Sequence, residues 1–387
     1  MSVNSKNLNI FFSAGERSGE LLAASLYKEM KKIFPSFQAW GVCGPEMEKV
    51  GIEKYFSIDE LSVMGFSAVL KKIHKIKRLE NNIIERIERK TPKLAIFFDA
   101  PSFHLRISEQ LKLRKIRCVH YVAPQVWAWR PKRALSLKDK TDLILGILPF
   151  EKEFFSNYNV PFKFIGSPVH ERIQNIPLER KKEKPYSILF LPGSRHDEVI
   201  NHLPLILDVI TKIREKSKHY NFTVSLAPSI SSEVFKKFLN LKDNNNKSND
   251  QCNLESFVWR DIVFSRKNSL ELMSKANFSL VKSGTSTLEC ALLECPLAVF
   301  YKTHPINFFI AKKLMTIPFI SLPNIIANKE IIKEFIQNFS TEEIVDHIIE
   351  HCESEKGMKI KQDLKSLKNL LPPDASKKAA RILKNFI

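Results

Sequence analysis

No uncharged apolar run in this chain reaches the roughly eighteen residues that a membrane span requires. The nearest stretch, Leu314 to Asn328, is interrupted by Pro318 and Pro323. The first residues, Met1 to Asn9, carry one lysine and no apolar segment of signal type. Both absences exclude a secreted or membrane-spanning protein and point to the cytoplasm. Cysteine is sparse, with Cys43, Cys118, Cys252, Cys290, Cys295 and Cys352 and no Cys-x-x-Cys pair. That excludes a zinc ribbon or a thioredoxin-type site and leaves reduced, mostly buried thiols. Neither Gly-x-Gly-x-x-Gly nor a Gly-Lys-Ser/Thr phosphate loop occurs, so nicotinamide dinucleotides and P-loop ATP chemistry lose ground.

Present instead are 387 residues, 44% hydrophobic and 27% charged, a globular mixture long enough for two domains. Lysine plus arginine outnumber the acids 61 to 42, a net charge of +19. A surplus of that sign favours polyanions: nucleic acid, an anionic membrane surface or phosphorylated substrates. A lysine-rich genome is the alternative cause.

Short apolar runs alternate with helical stretches, which predicts parallel sheets with helices on both faces. Leu8–Ser13, Leu94–Asp99, Cys118–Val122 and Leu143–Leu148 read as strands of a first half. The pattern restarts after the proline-punctuated segment 168–185 with Ser187–Leu191, Phe222–Ala227, Phe278–Val281 and Leu297–Tyr301. Asp243 to Asp250 is a polar loop, and Thr341–Ile387 is helical with a break at Pro372-Pro373. The expected fold is α/β: two Rossmann-like domains facing a cleft, joined near residue 170.

In such sheets ligands sit beyond the carboxyl ends of the strands, against helix N-termini. Three turns hold that position: Ser13 to Glu20, Leu191 to Glu198 and Lys282 to Glu289. Gly193, Ser194 and Arg195 of the second turn, and Ser283, Gly284, Thr285, Ser286 and Thr287 of the third, offer amides, hydroxyls and a guanidinium. Those are the parts a diphosphate needs; the four hydroxyl residues of the third turn serve equally as helix caps. Glu289, one turn into its helix, suits either the helix dipole or ribose hydroxyls. No Asp-x-Asp occurs, so a nucleotide-sugar enzyme of this sequence would stabilise its leaving diphosphate with helix dipoles and Arg195. With no His-Glu-x-x-His either, no metal or other cofactor is expected.

Longer strings go further. His120-Tyr-Val-Ala-Pro-Gln-Val-Trp-Ala-Trp-Arg130, Leu191-Pro-Gly-Ser-Arg195 with Glu198, Ser283-Gly-Thr-Ser-Thr-Leu-Glu289 and Ile320-Ser-Leu-Pro-Asn-Ile-Ile-Ala327 stand in order along the chain. Together they resemble the signatures of the lipid-A-disaccharide synthases, over Ser13 to about Ile336. The resemblance implies a GT-B glycosyltransferase joining UDP-2,3-diacylglucosamine to 2,3-diacylglucosamine 1-phosphate, with inversion and release of UDP. It implies work at the cytoplasmic face of the inner membrane of a Gram-negative bacterium. It also implies residues 1–170 as acceptor-binding and membrane-associating, 171–345 as donor-binding, and 346–387 as helices packing back on the first domain. The family's domain-swapped dimer adds a second copy of the chain as a candidate partner. Nucleic acid is not expected as one.

By that resemblance Asp99 of Asp-Ala-Pro, at the end of a strand, is the first candidate base and Glu16 the second. A helix cap is the alternative for either. Arg195 would neutralise the leaving UDP, and Asn324 of Leu-Pro-Asn would complete the donor site. Ser18, Gly19, Met64, Pro101 and Trp127 are the acceptor candidates, with Trp127 and Trp129 read alternatively as core aromatics. The chain departs from the family at Arg17, at Ser102-Phe103-His104, where Asp-Phe-Asn is usual, and at Ser167.

Val63, Met64, Phe66, Val69, Leu70 and Ile73 form an apolar stripe among lysines, continued by Ile76. It reads either as a surface helix on the sheet or, with diacylated substrates, as an interfacial membrane contact. Two rival functions remain. One is a GT-B enzyme of UDP-N-acetylglucosamine, against which the Trp127-Ala128-Trp129 and Leu322-Pro323-Asn324 strings argue. The other is a basic nucleic-acid-binding protein, for which no zinc finger, RRM-like motif or helix-turn-helix speaks.

Overall fold

The computed structural model describes residues 8–62, 69–181, 183–227, 230, 255–354 and 356–387. The polar loop at 243–250 lies outside them, as do Val63, Met64 and Phe66 of the apolar stripe. Two compact units result: residues Met1–Glu171 with Leu371–Ile387, and residues Arg172–Leu370.

The first unit carries β1 (Asn9–Ala14), β2 (Gln38–Cys43), β3 (Glu53–Ser57), β4 (Leu94–Phe98), β5 (Arg117–Tyr121), β6 (Leu143–Gly146) and β7 (Phe162–Phe164). All pair in parallel in the order β3-β2-β1-β4-β5-β6-β7. Every residue of β4, Leu-Ala-Ile-Phe-Phe, is buried, as a parallel strand covered on both faces requires. Phe11, Phe12, Phe97 and Phe98 fill the centre of this core. Ala375, Ala379, Ala380 and Leu383 of the last helix, Ala375–Phe386, join the same core.

In the second unit β8 (Tyr186–Leu191), β9 (Tyr220–Ser225), β10 (Ser256–Trp259), β11 (Ile262–Ser265), β12 (Phe278–Lys282), β13 (Leu297–Tyr301) and β14 (Lys333–Ile336) follow the order β10-β11-β9-β8-β12-β13-β14. Only the edge pair β10–β11 is antiparallel among these strands.

The C-terminal helices divide differently from expectation. Helices Thr341–Glu353 and Lys356–Asn369 belong to the second unit, where the latter packs on helices Thr285–Leu292 and Leu322–Ala327. Only the chain beyond Leu371 belongs to the first unit. Pro372-Pro373 is the reason, because proline cannot continue a helix. The chain turns there, with the Ser167 amide donating to Pro372 O at 2.8 Å and the Ser376 amide to Glu171 at 2.9 Å. Ser167 also caps helix Pro168–Ile173 through the His170 amide at 3.2 Å, which gives that departure a structural role.

The helix Val69–Lys90 places Leu79, Ile83 and Ile87 in the first core, with Ile76 packed against it. From Ile76 onward the stripe is therefore spent on the protein's own interior. Nothing is described of the side chains of Val69, Leu70 and Ile73. Among the described residues no helix is long and apolar enough to cross a membrane.

Candidate functional site

Strand order reverses on either side of β1 and β4 in the first sheet, and on either side of β8 and β12 in the second. Crevices for ligands open at such switch points. The residues that follow these four strands are Gly15, Asp99, the Gly193 turn and Ser283, so each unit brings two of the sequence candidates together.

In the first unit Asp99 Oδ1 accepts the Gly15 amide at 2.7 Å and Oδ2 accepts the Glu16 amide at 3.1 Å. Burial pushes the Asp99 carboxyl up to about 7 against the pull of these amides, and the Glu16 charge adds to the rise. A Cβ on Gly19 would overlap Asp99 Oδ2, so the first turn of helix Arg17–Ile33 must present glycine there. Glu16 stands at the N-cap of that helix with no side-chain capping bond, and it is exposed. The cap reading of Glu16 is thereby removed. Ser18 and Pro101 are exposed on the two helices flanking Asp99, and Met64 lies outside the described residues.

Trp127 is placed otherwise than the acceptor reading required. It is 5% exposed, lies edge-on to Phe150 and donates its indole N–H to Glu151 Oε1 at 3.1 Å. With ring buried and donor occupied, it ties the loop after β5 to the loop after β6. Glu151 also accepts the Leu148 amide at 3.1 Å, and burial raises its carboxyl to about 7. Trp129, by contrast, is exposed.

The second unit holds a cavity of about 410 Å³ at its switch point, a volume suited to a small ligand. Gly193, Ser194 and Glu198 line one side; Ser283, Gly284, Thr285 and Ser286 line the other. Gly193 has φ +120°, and a Cβ there would strike the Glu198 carboxylate. Glu198 reaches back to the Ser194 amide at 3.2 Å and to the Lys282 ammonium at 3.0 Å. Burial alone would raise the Glu198 carboxyl; Lys282 and the amides outweigh it and hold the group below its usual range. Arg195, 78% exposed, reaches Glu198 at 3.4 Å.

Three cations were missing from the sequence candidates. Lys282 ends β12, Arg266 and Lys267 follow β11, and all three line the cavity. Their position directly after a strand was the available signal. Arg266 Nη1 donates to Ile230 O at 2.8 Å, while its Nε has no partner among the described residues.

Four donor candidates are not among the residues lining the cavity: Arg195, which follows Ser194, and Thr287, Glu289 and Asn324. Glu289 is ion-paired with Arg172. Thr287 is fully buried, and its hydroxyl donates to Gly284 O at 2.7 Å, a bond within its own first turn; Gly284 is the N-cap of helix Thr285–Leu292, which has no side-chain capping bond. Asn324 is fully buried, with Nδ2 donating to Ile332 O and Glu334 Oε1, both at 2.9 Å. Its Oδ1 accepts the Ile331 and Ile332 amides at 2.8 and 3.0 Å. No capacity remains for a ligand. Asn324→Ala is expected to destabilise the protein by about 3 kcal/mol, because two buried amides lose partners at about 1–3 kcal/mol each. Thermal melting of the variant beside the parent protein checks this.

His347 and His351 stand four residues apart on one helix, a spacing the sequence reading passed over, with ring centroids 4.0 Å apart. Among the described residues no group of three His, Cys, Asp or Glu side chains is placed to hold a metal ion.

Comparison with known proteins follows the same lines. The family described as lipid-A-disaccharide synthetase matches residues 10–386. The lipid-A-disaccharide synthase of Blochmanniella pennsylvanica is 36% identical over 87% of this chain and 84% of its own. That of Idiomarina loihiensis is 32% identical over 97% of each. Among solved structures, UDP-GlcNAc 2-epimerase from Neisseria meningitidis bound to UDP-GlcNAc gives a TM-score of 0.60 at 14% identity, over 98% of this chain and 99% of that one. Acinetobacter baumannii MurG gives 0.57 at 12%, with the same coverage. These structural likenesses show the fold, which is GT-B. With the family match spanning both units, the chain belongs to the lipid-A-disaccharide synthetase family.

Proposed function

We propose that this protein joins UDP-2,3-diacylglucosamine to 2,3-diacylglucosamine 1-phosphate, giving lipid A disaccharide 1-phosphate and UDP with inversion at the anomeric carbon. The observation that carries the reading, beside family membership, is a carboxylate at the switch point of the first sheet. Asp99 is held by two amides at 2.7 and 3.1 Å, and burial pushes its carboxyl up to about 7. A general base works best when its pKa lies near the operating pH. Asp99 takes the proton of the acceptor 6-hydroxyl as that oxygen bonds to the donor's anomeric carbon. The bond from that carbon to the diphosphate oxygen breaks, and the negative charge leaves with UDP. In the second unit Arg195 and Lys282, with the amides of the Gly193 turn, meet that charge in place of a metal.

Purified protein in detergent micelles with EDTA, given both diacylated substrates, should form disaccharide and UDP in equal amounts. UDP release without disaccharide would leave this scaffold with a different acceptor.

The reading extends to peripheral binding at the inner face of the inner membrane through residues 63–73, and to a homodimer. A Met64→Glu, Phe66→Glu, Leu70→Glu variant is expected to lose most of its sedimentation with anionic vesicles. Undiminished sedimentation would remove the membrane assignment of this segment.

A further inference from the structure

Asp99 and Ala100 both adopt left-handed backbone conformations, with φ of +56° and +37°. For residues with a Cβ this is strained and persists only where the surroundings over-determine it. The conformation aims the Asp99 carboxylate back at the first turn, so whatever holds it also aims the candidate base. Amides of Phe103 and His104 bond to Ala100 O at 3.0 and 3.1 Å, ordinary first-turn bonds of helix Pro101–Leu113. They hold Ala100 but leave the Asp99 peptide to another partner.

That partner is the imidazole of His104, the residue that stands where the family usually has asparagine. It is 0% exposed. Its Nδ1 lies 2.9 Å from Asp99 O and its Nε2 lies 2.8 Å from Ser13 Oγ. A carbonyl only accepts, so Nδ1 carries the proton and Nε2 accepts from the Ser13 hydroxyl. Burial lowers the ring to about 4, so it is neutral in this tautomer at working pH. Phe97 and Phe103 pack against it at centroid distances of 5.1 and 5.4 Å. One ring thus joins the end of β1, the turn after β4 and the following helix.

We propose that His104 is a positioning residue for the reaction, fixing the left-handed Asp99 peptide through Nδ1–H so that the carboxylate is presented as base. The proposal rests on Asp99 being that base. The groups that face the pair are the Glu16 carboxylate, on the side of Asp99, and the neutral His120 of β5, on the side of His104. Neither supplies a bond to Asp99 O.

The family's asparagine makes a sharp test, because its amide nitrogen occupies the place of Nδ1 whereas glutamine reaches the place of Nε2. His104→Leu is expected to lower kcat about 100-fold, the scale of a misplaced catalytic group, with the KM for the UDP-sugar unchanged. His104→Asn should recover most of the loss and His104→Gln little of it. A carbon-13 NMR titration of the Asp99 carboxyl, assigned with Asp99→Asn, reads the same geometry without turnover. Its midpoint should lie at about 7 in the wild type and fall in the Leu and Gln variants. UDP affinity and melting of each variant control for folding. Equal activity in all three variants, rescue by Gln rather than Asn, or a midpoint that none of them moves overturns the proposal. If Asp99→Asn stays active while His104 still moves the midpoint, the base assignment fails and the positioning of Asp99 stands.

Discussion

Asp99→Asn is expected to lower kcat for disaccharide formation by about a thousandfold, within the range a positioned general base supplies, while UDP binding to the second unit persists. The wild-type profile of kcat/KM should rise with pH through about 7, because burial raises the Asp99 carboxyl to that value and only the ionised form takes a proton. Glu16→Gln should move this limb to lower pH, since the Glu16 charge contributes to the rise. Stability runs the other way. A carboxyl whose folded pKa is raised from 3.8 to about 7 contributes stability that is present below 3.8 and lost as pH climbs through 7. Activity and the Asp99 part of the melting temperature should therefore move in opposite directions across one window. A variant Asp99→Asn that kept both its rate and its acid limb would shift the base to Glu16.

Why the place of Asp99 was legible in the sequence, while Trp127 was left between an acceptor contact and the core, follows from what each signal measures. Asp99 ends an unbroken apolar run, and the topology rule for parallel sheets places such a residue at a ligand crevice without knowledge of its neighbours. Apolar runs likewise marked β4, β8 and β13, all buried on both faces. Strands without such a run escaped: β3, Glu-Lys-Tyr-Phe-Ser, is a partly exposed edge, and β7 has three residues. The β10–β11 hairpin turns through Arg260 and Asp261 at φ +46° and +59°, where Asn-Gly would have announced it. Trp127 and Asn324 stand in strings that mark the family, but a string does not say which way a side chain points. Their partners, Glu151 and Glu334, lie 24 and 10 residues away and carry no pattern that links them. Lys282 and Glu198 are separated by 84 residues, so their pairing is a product of the β8–β12 contact rather than of any local spacing.

Arg195→Ala is expected to lower kcat/KM by about 100-fold, the scale of removing a donor aimed at developing charge, and to leave the melting temperature unchanged. The second half follows from exposure: the guanidinium is 78% exposed and its contact to Glu198, at 3.4 Å, is the kind of surface pair worth little to folding. The first half follows from place. Arg195 opens helix His196–Lys216, whose N-terminal amides and dipole already favour an anion, and an arginine fork meets phosphate oxygens two at a time. Arg195→Lys should regain only part of the loss, since a point charge replaces the fork. Lys282→Ala differs in kind. Lys282 is 19% exposed at its side chain and pairs with a Glu198 that is 18% exposed, so its removal leaves a mostly buried carboxylate with the exposed, more distant Arg195 as its one cation partner among the described residues. That variant should lose stability as well as rate, with the loss growing as pH rises and Glu198 ionises. The pair of variants separates two roles for cations, one on the turn beside the cavity and one in its lining. If Arg195→Ala cost stability while sparing the rate, the guanidinium would serve the Glu198 ion pair, and Lys282 with Arg266 would be left to meet the diphosphate.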